Sequence, residues 1–264
     1  MTQPHEDMGQ MALADPALRT VFWDVHSGLP REGPGNRAST ERAVALAAPI
    51  PLFAQVLDVA CGPGAQTMDL ATLLPRATVC AIDTHEPFVE ETNLRAAALG
   101  VNDRVTALRG DMRSLEFSPS SFDLIWCEGA AYIIAVERAL RSWRPLLRPN
   151  GRLAVSEAIW LRADVPEDVH RCWSDDYPGM GDAQSRRDLV RDCGYHLLGD
   201  FVLPDAAWWE YYGPMEKRLR VLASKYAGNL AAESVLRESA KEIANYRAYG
   251  MYYGYLFMVM VAKP

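Results

Sequence analysis

The sequence predicts an α/β fold: a Rossmann-like, doubly wound sheet of seven mostly parallel strands with helices on both faces, an N-terminal helical lid, and a helical cap inserted before the last strand. Three observations predict it. Short apolar runs alternate with amphipathic stretches through most of the chain, the pattern of a parallel sheet covered by helices. Val56-Leu57-Asp58-Val59-Ala60 is apolar enough to be buried on both faces and runs straight into Cys61-Gly62-Pro63-Gly64, a tight turn ahead of a helix. Later apolar runs bring Asp83 and Asp111 to the equivalent point of the pattern.

Composition narrows the class. The 264 residues are 49% hydrophobic and 23% charged, ordinary for one sizeable globular domain or a domain with a large insertion. Lys and Arg number 27 against 34 Asp and Glu, a net charge of −7 with no basic run to offset it locally. That argues against nonspecific nucleic-acid binding, which rests on neutralising phosphates. The five cysteines are scattered and contain no C-x-x-C pair, fitting neither a disulfide framework nor a metal site, so a reducing cytoplasm is expected. No apolar run approaches the roughly 18 residues a membrane span needs, and the N-terminus lacks the pattern of an export signal.

In chain order, residues 1 to about 16 are polar and aperiodic, and residues 1–48 read as a tail and helical lid. The lid contains Gly28-Leu29-Pro30-Arg31-Glu32-Gly33-Pro34-Gly35, too rich in glycine and proline for regular structure. Ser39 or Thr40 is expected to cap a helix over Glu41 to Ala48, stopping before Pro49. The core, residues 49–204, starts with the strand and glycine turn and continues with a helix from Thr67 to Leu74, closed by Pro75. Thr78 to Asp83 is the second strand, and Pro87 and Gly100 bracket a helix over Glu86 to Leu99. Val105 to Arg109 and Phe122 to Cys127 are the third and fourth strands, and a helix follows around Glu137 to Trp143. Pro149-Asn150-Gly151 turns the chain into a fifth strand, Arg152 to Ala158. A helix over Gln184 to Cys193 leads to a sixth strand, Tyr195 to Leu203. Residues 205–250 form the cap, with one helix face marked by Met215, Leu219, Leu222 and Tyr226 and another by Leu236, Ala240, Ile243 and Tyr246. Residues 251–264 carry the last strand, Tyr255 to Ala262.

A ligand is expected on the glycine turn, because backbone N–H groups at a helix N-terminus form a binding cradle. Asp58, inside the strand, either meets a ligand, a cation better than a phosphate, or orders the glycine turn, and Ala65-Gln66-Thr67 leaves the dinucleotide G-x-G-x-x-G incomplete. With Asp58-Val59-Ala60-Cys61-Gly62-Pro63-Gly64, Asp83, Gly110-Asp111-Met112, Phe122-Asp123-Leu124-Ile125-Trp126 and Ala139 to Gly151 in register, the chain resembles the class I S-adenosylmethionine-dependent methyltransferases, strongly over residues 50 to 160. The lid glycines and tyrosine-rich end also look like a bacterial small-molecule subgroup. The resemblance implies S-adenosyl-L-methionine as cofactor and S-adenosyl-L-homocysteine as product. It implies that Gly62 and Gly64 approach the methionine portion and ribose, that Asp83 takes the ribose hydroxyls, and that Asp111 and Met112 hold the adenine. Asp58, Ala60, Cys61, Gln66, Thr84, Gly110, Glu128 and Gly129 complete the expected cofactor contacts. Cys127-Glu128-Gly129-Ala130 replaces the Asp-Pro-Pro-Tyr or Asn-Pro-Pro-Tyr found where the family methylates exocyclic amides or adenine amines, which disfavours that chemistry.

Displacement at a sulfonium mainly needs alignment and exclusion of water, with a base where the acceptor carries a proton. Glu128 and His26 are the expected catalytic candidates, and Glu157, Trp160, Tyr132 and Tyr177 the expected acceptor-binding residues, with Asp175 and Asp176 in the same loop. Each has a plainer alternative: Glu128 as a helix cap, His26 as a loop histidine, Glu157 in a structural hydrogen bond, the acidic loop as solvated surface. Cys127 reads as a small buried residue and not as a nucleophile. Trp208-Trp209, Tyr211-Tyr212 and Tyr252-Tyr253-Tyr255 suit the glue of a cap or a homodimer face better than an aromatic cage. The expected function is methyl transfer to a small molecule, with no nucleic-acid or membrane partner. Its rivals are a nicotinamide-dependent oxidoreductase, a non-catalytic cofactor-binding module, and an RNA or protein methyltransferase.

Overall fold

The computed structural model describes residues 15–174 and 177–263. Seven strands, β1 Gln55–Val59, β2 Thr78–Asp83, β3 Val105–Arg109, β4 Phe122–Glu128, β5 Leu147–Trp160, β6 Tyr195–Val202 and β7 Tyr253–Ala262, form one sheet in the order β3-β2-β1-β4-β5-β7-β6. The pairs from β3 through β5 are parallel, and β7 is antiparallel to both its neighbours. Strand order reverses between β1 and β4, so the crevice outside their carboxyl ends is where an open α/β sheet receives a ligand. Leu57, Val79, Leu124, Ile125, Leu153, Met258, Val259 and Met260 have no accessible surface, so the centre of the sheet is covered on both faces. Burying each such side chain contributes about 1.5–3 kcal/mol before entropy is counted.

The helices are α1 Pro16–His26, α2 Arg37–Leu46, α3 Ala65–Leu73, α4 Glu86–Leu99, α5 Val136–Trp143, α6 Glu167–Ser174, α7 Ala183–Asp192, α8 Asp205–Lys225 and α9 Leu230–Tyr249. Several bounds differ from those read in the sequence, each for a local reason. Helix α2 begins four residues early because Asn36 is its cap, its Oδ1 accepting from Ser39 N–H at 2.9 Å, while Ser39 and Thr40 are buried inside the helix. Helix α3 starts at Ala65 because Gly64, at φ +87°, already turns the chain. Strand β5 runs through the expected Pro149-Asn150-Gly151 turn, where Asn150 takes φ +60° and the pairing with β4 shifts register. Strand β7 starts two residues early because Tyr253 pairs with Trp160. Helix α6 was not expected at all; it is a short helix after Pro166, with Val169 buried.

Helices α8 and α9 lie between β6 and β7 and pack on each other and on α1. Met215, Leu219 and Leu222 are buried on α8, and Leu236, Ile243 and Tyr246 on α9, but Ala240 is exposed and Tyr226 only half-buried. Tyr226 turns outward to donate its hydroxyl to Asp24 Oδ2 at 2.6 Å, joining α8 to α1. No helix among the described residues is long and apolar enough to cross a membrane.

The glycine turn is fixed from behind. Thr92 Oγ1 on α4 donates to the Gly62 carbonyl at 3.1 Å, and a Cβ added to Gly64 would stand 2.6 Å from that same Oγ1. The positive φ of Gly64 adds a backbone cost of about 1–2 kcal/mol for any L side chain. Gly64→Ala is therefore expected to lower unfolding free energy by about 2 kcal/mol or more in urea titration. Unchanged stability would mean that the turn has room this geometry denies.

Candidate active site

The carboxyl ends of β1, β2 and β3 are tied into one rim. Gly62 N–H donates to Asp83 Oδ2 at 2.9 Å, His85 N–H donates to Asp83 Oδ1 at 2.9 Å, and Gly110 N–H donates to the Asp83 carbonyl at 3.0 Å. Asp83 remains half-buried, so its carboxylate keeps lone pairs toward the crevice, and Thr84 beside it is exposed. Asp111 is half-buried, its Oδ1 accepting from Arg113 N–H at 2.8 Å, and Met112 is buried next to it. Asp83, Asp111, Met112 and the glycines thus lie where a nucleoside with an attached amino-acid chain can run along the rim. Gly62 and Gly64 present bare backbone there, a cradle that side chains would fill, so these residues fit the expected cofactor.

Three expected contacts lie beneath the turn instead. Asp58 has no accessible surface; its Oδ2 accepts from Thr67 Oγ1 at 2.6 Å, and burial pushes its carboxyl up to about 7. Gln66 is buried and donates from Nε2 to the Cys61 carbonyl at 3.0 Å. The Cys61 side chain is buried too, its thiol driven far above the ordinary range by desolvation. These side chains brace the turn and do not face a ligand. Ala60, at φ +57°, starts the turn and is half-buried.

Glu128 at the end of β4 is also not a free base. Its Oε2 accepts from Arg31 Nη2 at 2.8 Å and its Oε1 from Trp126 Nε1 at 2.9 Å, and both members of the ion pair are about 95% buried, their side chains 6% and 5% exposed. Burial raises the Glu128 carboxyl, against the pull of Arg31 and Trp126. Arg31 also donates from Nε to the Gly33 carbonyl at 2.9 Å, so the lid loop is pinned to the sheet through this pair. A Cβ on Gly35 would overlap both Arg31 and Glu128. Gly129, at φ +64°, lets Tyr255 approach, since a Cβ there would stand 3.1 Å from Tyr255 Cε1.

His26 ends α1, and its Nδ1 lies 2.5 Å from Glu32 Oε2. Glu32 Cγ stands 3.5 Å from where a Gly62 Cβ would be, so the lid's acid rests on the glycine turn. Burial raises the Glu32 carboxyl while His26 opposes the rise. Trp23 stacks on His85 with ring centroids 3.5 Å apart, clamping the lid beside Asp83. Sequence reasoning missed Arg31, Glu32, Trp23 and His85; the one local signal was a charged Arg-Glu pair inside a loop otherwise made of glycine, proline and leucine.

On the β5 side, Glu157 has no accessible surface, and its Oε1 accepts from Tyr132 N–H at 3.2 Å while Oε2 has no partner. Burial pushes this carboxyl up to about 8, although Arg186 and Tyr177 pull it down. The Tyr132 and Tyr177 rings lie 5.2 Å apart, and Arg186 Nη2 donates to the Tyr177 hydroxyl at 2.7 Å. Trp160 does not join this group: three residues along the strand from Glu157, it packs edge-on against His170 with centroids 4.4 Å apart. Asp175 and Asp176 lie outside the described residues. Trp208, Tyr212, Tyr246, Tyr253 and Tyr255 are packed ring to ring and buried, the glue of the α8–α9 layer and not an open cage. Cys127 has no accessible surface, and burial holds its thiol well above the ordinary value, which removes it as a nucleophile.

Residues 56–151 match a family described as a methyltransferase domain. Over 169 residues the chain is 29% identical to a ubiquinone/menaquinone biosynthesis C-methyltransferase of Syntrophotalea carbinolica, covering 62% of this chain and 67% of that one. It is 34% identical over 121 residues to nocamycin O-methyltransferase of Saccharothrix syringae, covering 45% of this chain and only 41% of that one. Among solved structures it is similar to an S-adenosylmethionine-dependent methyltransferase of Geobacter sulfurreducens in complex with S-adenosyl-L-homocysteine. That similarity has a TM-score of 0.80 at 22% identity, covering 92% of this chain and 98% of that one.

Two outcomes test this geometry. Glu128→Ala leaves Arg31 buried without its partner and is expected to cost about 3–5 kcal/mol in chemical denaturation, with much of it recovered in Arg31→Met/Glu128→Leu. Glu157 keeps its proton in the folded state up to about 8 but loses it near 4.5 when unfolded, so its contribution is full below the lower value and disappears as pH rises through the upper. Stability is therefore expected to decline across that window, and Glu157→Gln to flatten the decline in melting scans run at stepped pH.

Proposed function

We propose that this chain is a class I S-adenosylmethionine-dependent methyltransferase and that it methylates a small molecule held between the rim, the lid and the α8–α9 cap, in the cytoplasm. The observation that supports the reading best is the direct seating of lid residue Glu32 on the glycine turn, beside Asp83. It puts the lid where the cofactor's reactive end belongs and makes a closed, water-poor compartment the natural place for the acceptor.

When bound, S-adenosylmethionine supplies an electrophilic methyl group on a sulfonium. In this reading Asp83 takes the ribose hydroxyls, Asp111 accepts from the adenine amine, Met112 packs on the ring, and Gly62, Gly64, Gly110, Thr84 and Gly129 offer backbone and close approach. Asp58, Cys61 and Gln66 hold the turn in shape. Alignment is the main contribution of the protein, on the order of 7–11 kcal/mol at best. Glu128 anchors the lid through Arg31, and the proton-accepting role passes to His26: with Nδ1 hydrogen-bonded to Glu32, its Nε2 lone pair is directed away from that pair. Glu157, Tyr132 and Tyr177 form the acceptor's far wall. A net charge of −7 supports a small acceptor over nucleic acid.

The experiment is titration with S-adenosylhomocysteine together with incubation of the enzyme and cofactor with fractionated metabolite extracts. Wild type is expected to bind the product and to yield a compound heavier by one methyl group. Asp83→Ala is expected to weaken product binding by about 1.5–3 kcal/mol, the worth of hydrogen bonds to a charged group. Undiminished affinity in that variant would place the ribose elsewhere.

A further inference from the structure

Helix α4 carries Phe88, Thr92 and Arg95 at the i, i+4, i+7 spacing that stacks side chains on one helix face. Each meets a different part of the site. Phe88 packs edge-on against Trp23 of the lid, with ring centroids 5.7 Å apart. Thr92 holds the Gly62 carbonyl from behind the glycine turn. Arg95 reaches the lid loop itself: its Nη1 donates to the Pro30 carbonyl at 2.8 Å and its Nη2 to the Leu29 carbonyl at 3.2 Å. Glu91, one turn earlier, accepts from Arg95 Nε at 3.0 Å and from Nη2 at 2.8 Å, which fixes the guanidinium plane and leaves its other donors for the loop.

The loop depends on such outside support. Pro30 and Pro34 bring no N–H, and Gly28, Gly33 and Gly35 leave the backbone free to take many paths. Two of its attachments to the core differ in character. The Arg31–Glu128 pair is buried, so parting it would strand two charges away from water. Arg95 and Glu91, with side chains 27% and 39% exposed, stand at the border with solvent, where water takes over the guanidinium and the carbonyls as the contact breaks. The Arg95 contact is therefore the one that yields first. The two carbonyls it holds immediately precede Arg31 and Glu32, and Glu32 rests on the glycine turn. We propose that Arg95 is a positioning residue, the latch that sets the lid loop on the glycine turn and thereby limits how fast the cofactor and its product leave. The inference rests on the methyltransferase reading, which puts the methionine end of the cofactor on that turn, and deepens it by naming the contact that controls exchange. Lysine replaces this contact only in part, because a single ammonium lacks the planar fork that meets a carboxylate and two carbonyls at once.

The test compares wild type, Arg95→Ala and Arg95→Lys in two measurements: the dissociation rate of S-adenosylhomocysteine by surface plasmon resonance, and backbone hydrogen–deuterium exchange of the protein without added ligand. Arg95→Ala is expected to release the compound about ten-fold faster, in line with the loss of one hydrogen bond to a charged group. Residues 27–36 of that variant are expected to exchange about ten-fold faster as well, while β1 and β4 keep their wild-type rates. Arg95→Lys is expected to fall between the two and, being the milder change, carries the test should the alanine variant not fold. Dissociation within about two-fold of wild type in both variants, or exchange raised as much in β1 and β4 as in the loop, would overturn the latch. Failure of the wild type to bind S-adenosylhomocysteine would strike the methyltransferase reading instead, and exchange in the loop would still decide whether Arg95 holds it.

Discussion

The ion pair between Arg31 and Glu128 is the constraint on which the site's shape depends. It joins a loop of glycine and proline, which has little structure of its own, to the end of a central strand, and it does so away from water. Such a pair is a poor source of net stability, because two desolvated charges must be repaid by their mutual attraction and by added hydrogen bonds. Its effect is positional. With Trp126 Nε1 and the Gly33 carbonyl completing the shell, residues 31–35 are held on a path that sets Glu32 on the glycine turn.

The same economy governs the turn. Asp58 looks from its position like a ligand for a cation, yet the fold uses it to hold Thr67 and thereby the start of α3. Gln66 and Thr92 fix the carbonyls of Cys61 and Gly62, leaving the N–H groups and bare glycine backbone on the open side. Polar side chains in this stretch point inward because an unpaired buried carbonyl is costly and the chain needs nearby donors to satisfy it. The outer face is kept for backbone, and the acid that meets the crevice comes from the next strand, as Asp83.

Acidic groups recur next to the site, at Asp58, Glu32 and Glu157, and burial raises the carboxyl of each. They differ from the charges on the surface, which form ordinary ion pairs. Surface pairs such as Arg141–Glu137 on α5 are solvated and add little. The interior acids are held at an energetic cost.

The sheet and its rim were legible in the sequence because strand burial and turn chemistry are local. Val56 to Val59, Thr78 to Asp83 and Val105 to Arg109 announce strands by their own side chains, and glycines with an acid at each strand end mark one edge once the strands are parallel. Helix ends were less legible, since Asn36 outcompetes Ser39 and Thr40 as a cap only after those two are drawn into the core. The roles of Glu128 and Glu32 were not legible at all. Residues 31 and 128 are 97 positions apart, so nothing in either neighbourhood signals the other. Periodicity and turn propensity by themselves determined where the chain becomes strand and which strand edge is acidic. Which carboxylate anchors and which supports the turn was decided only by tertiary packing, because a charge takes its role from the dielectric and the partners that distant segments bring to it.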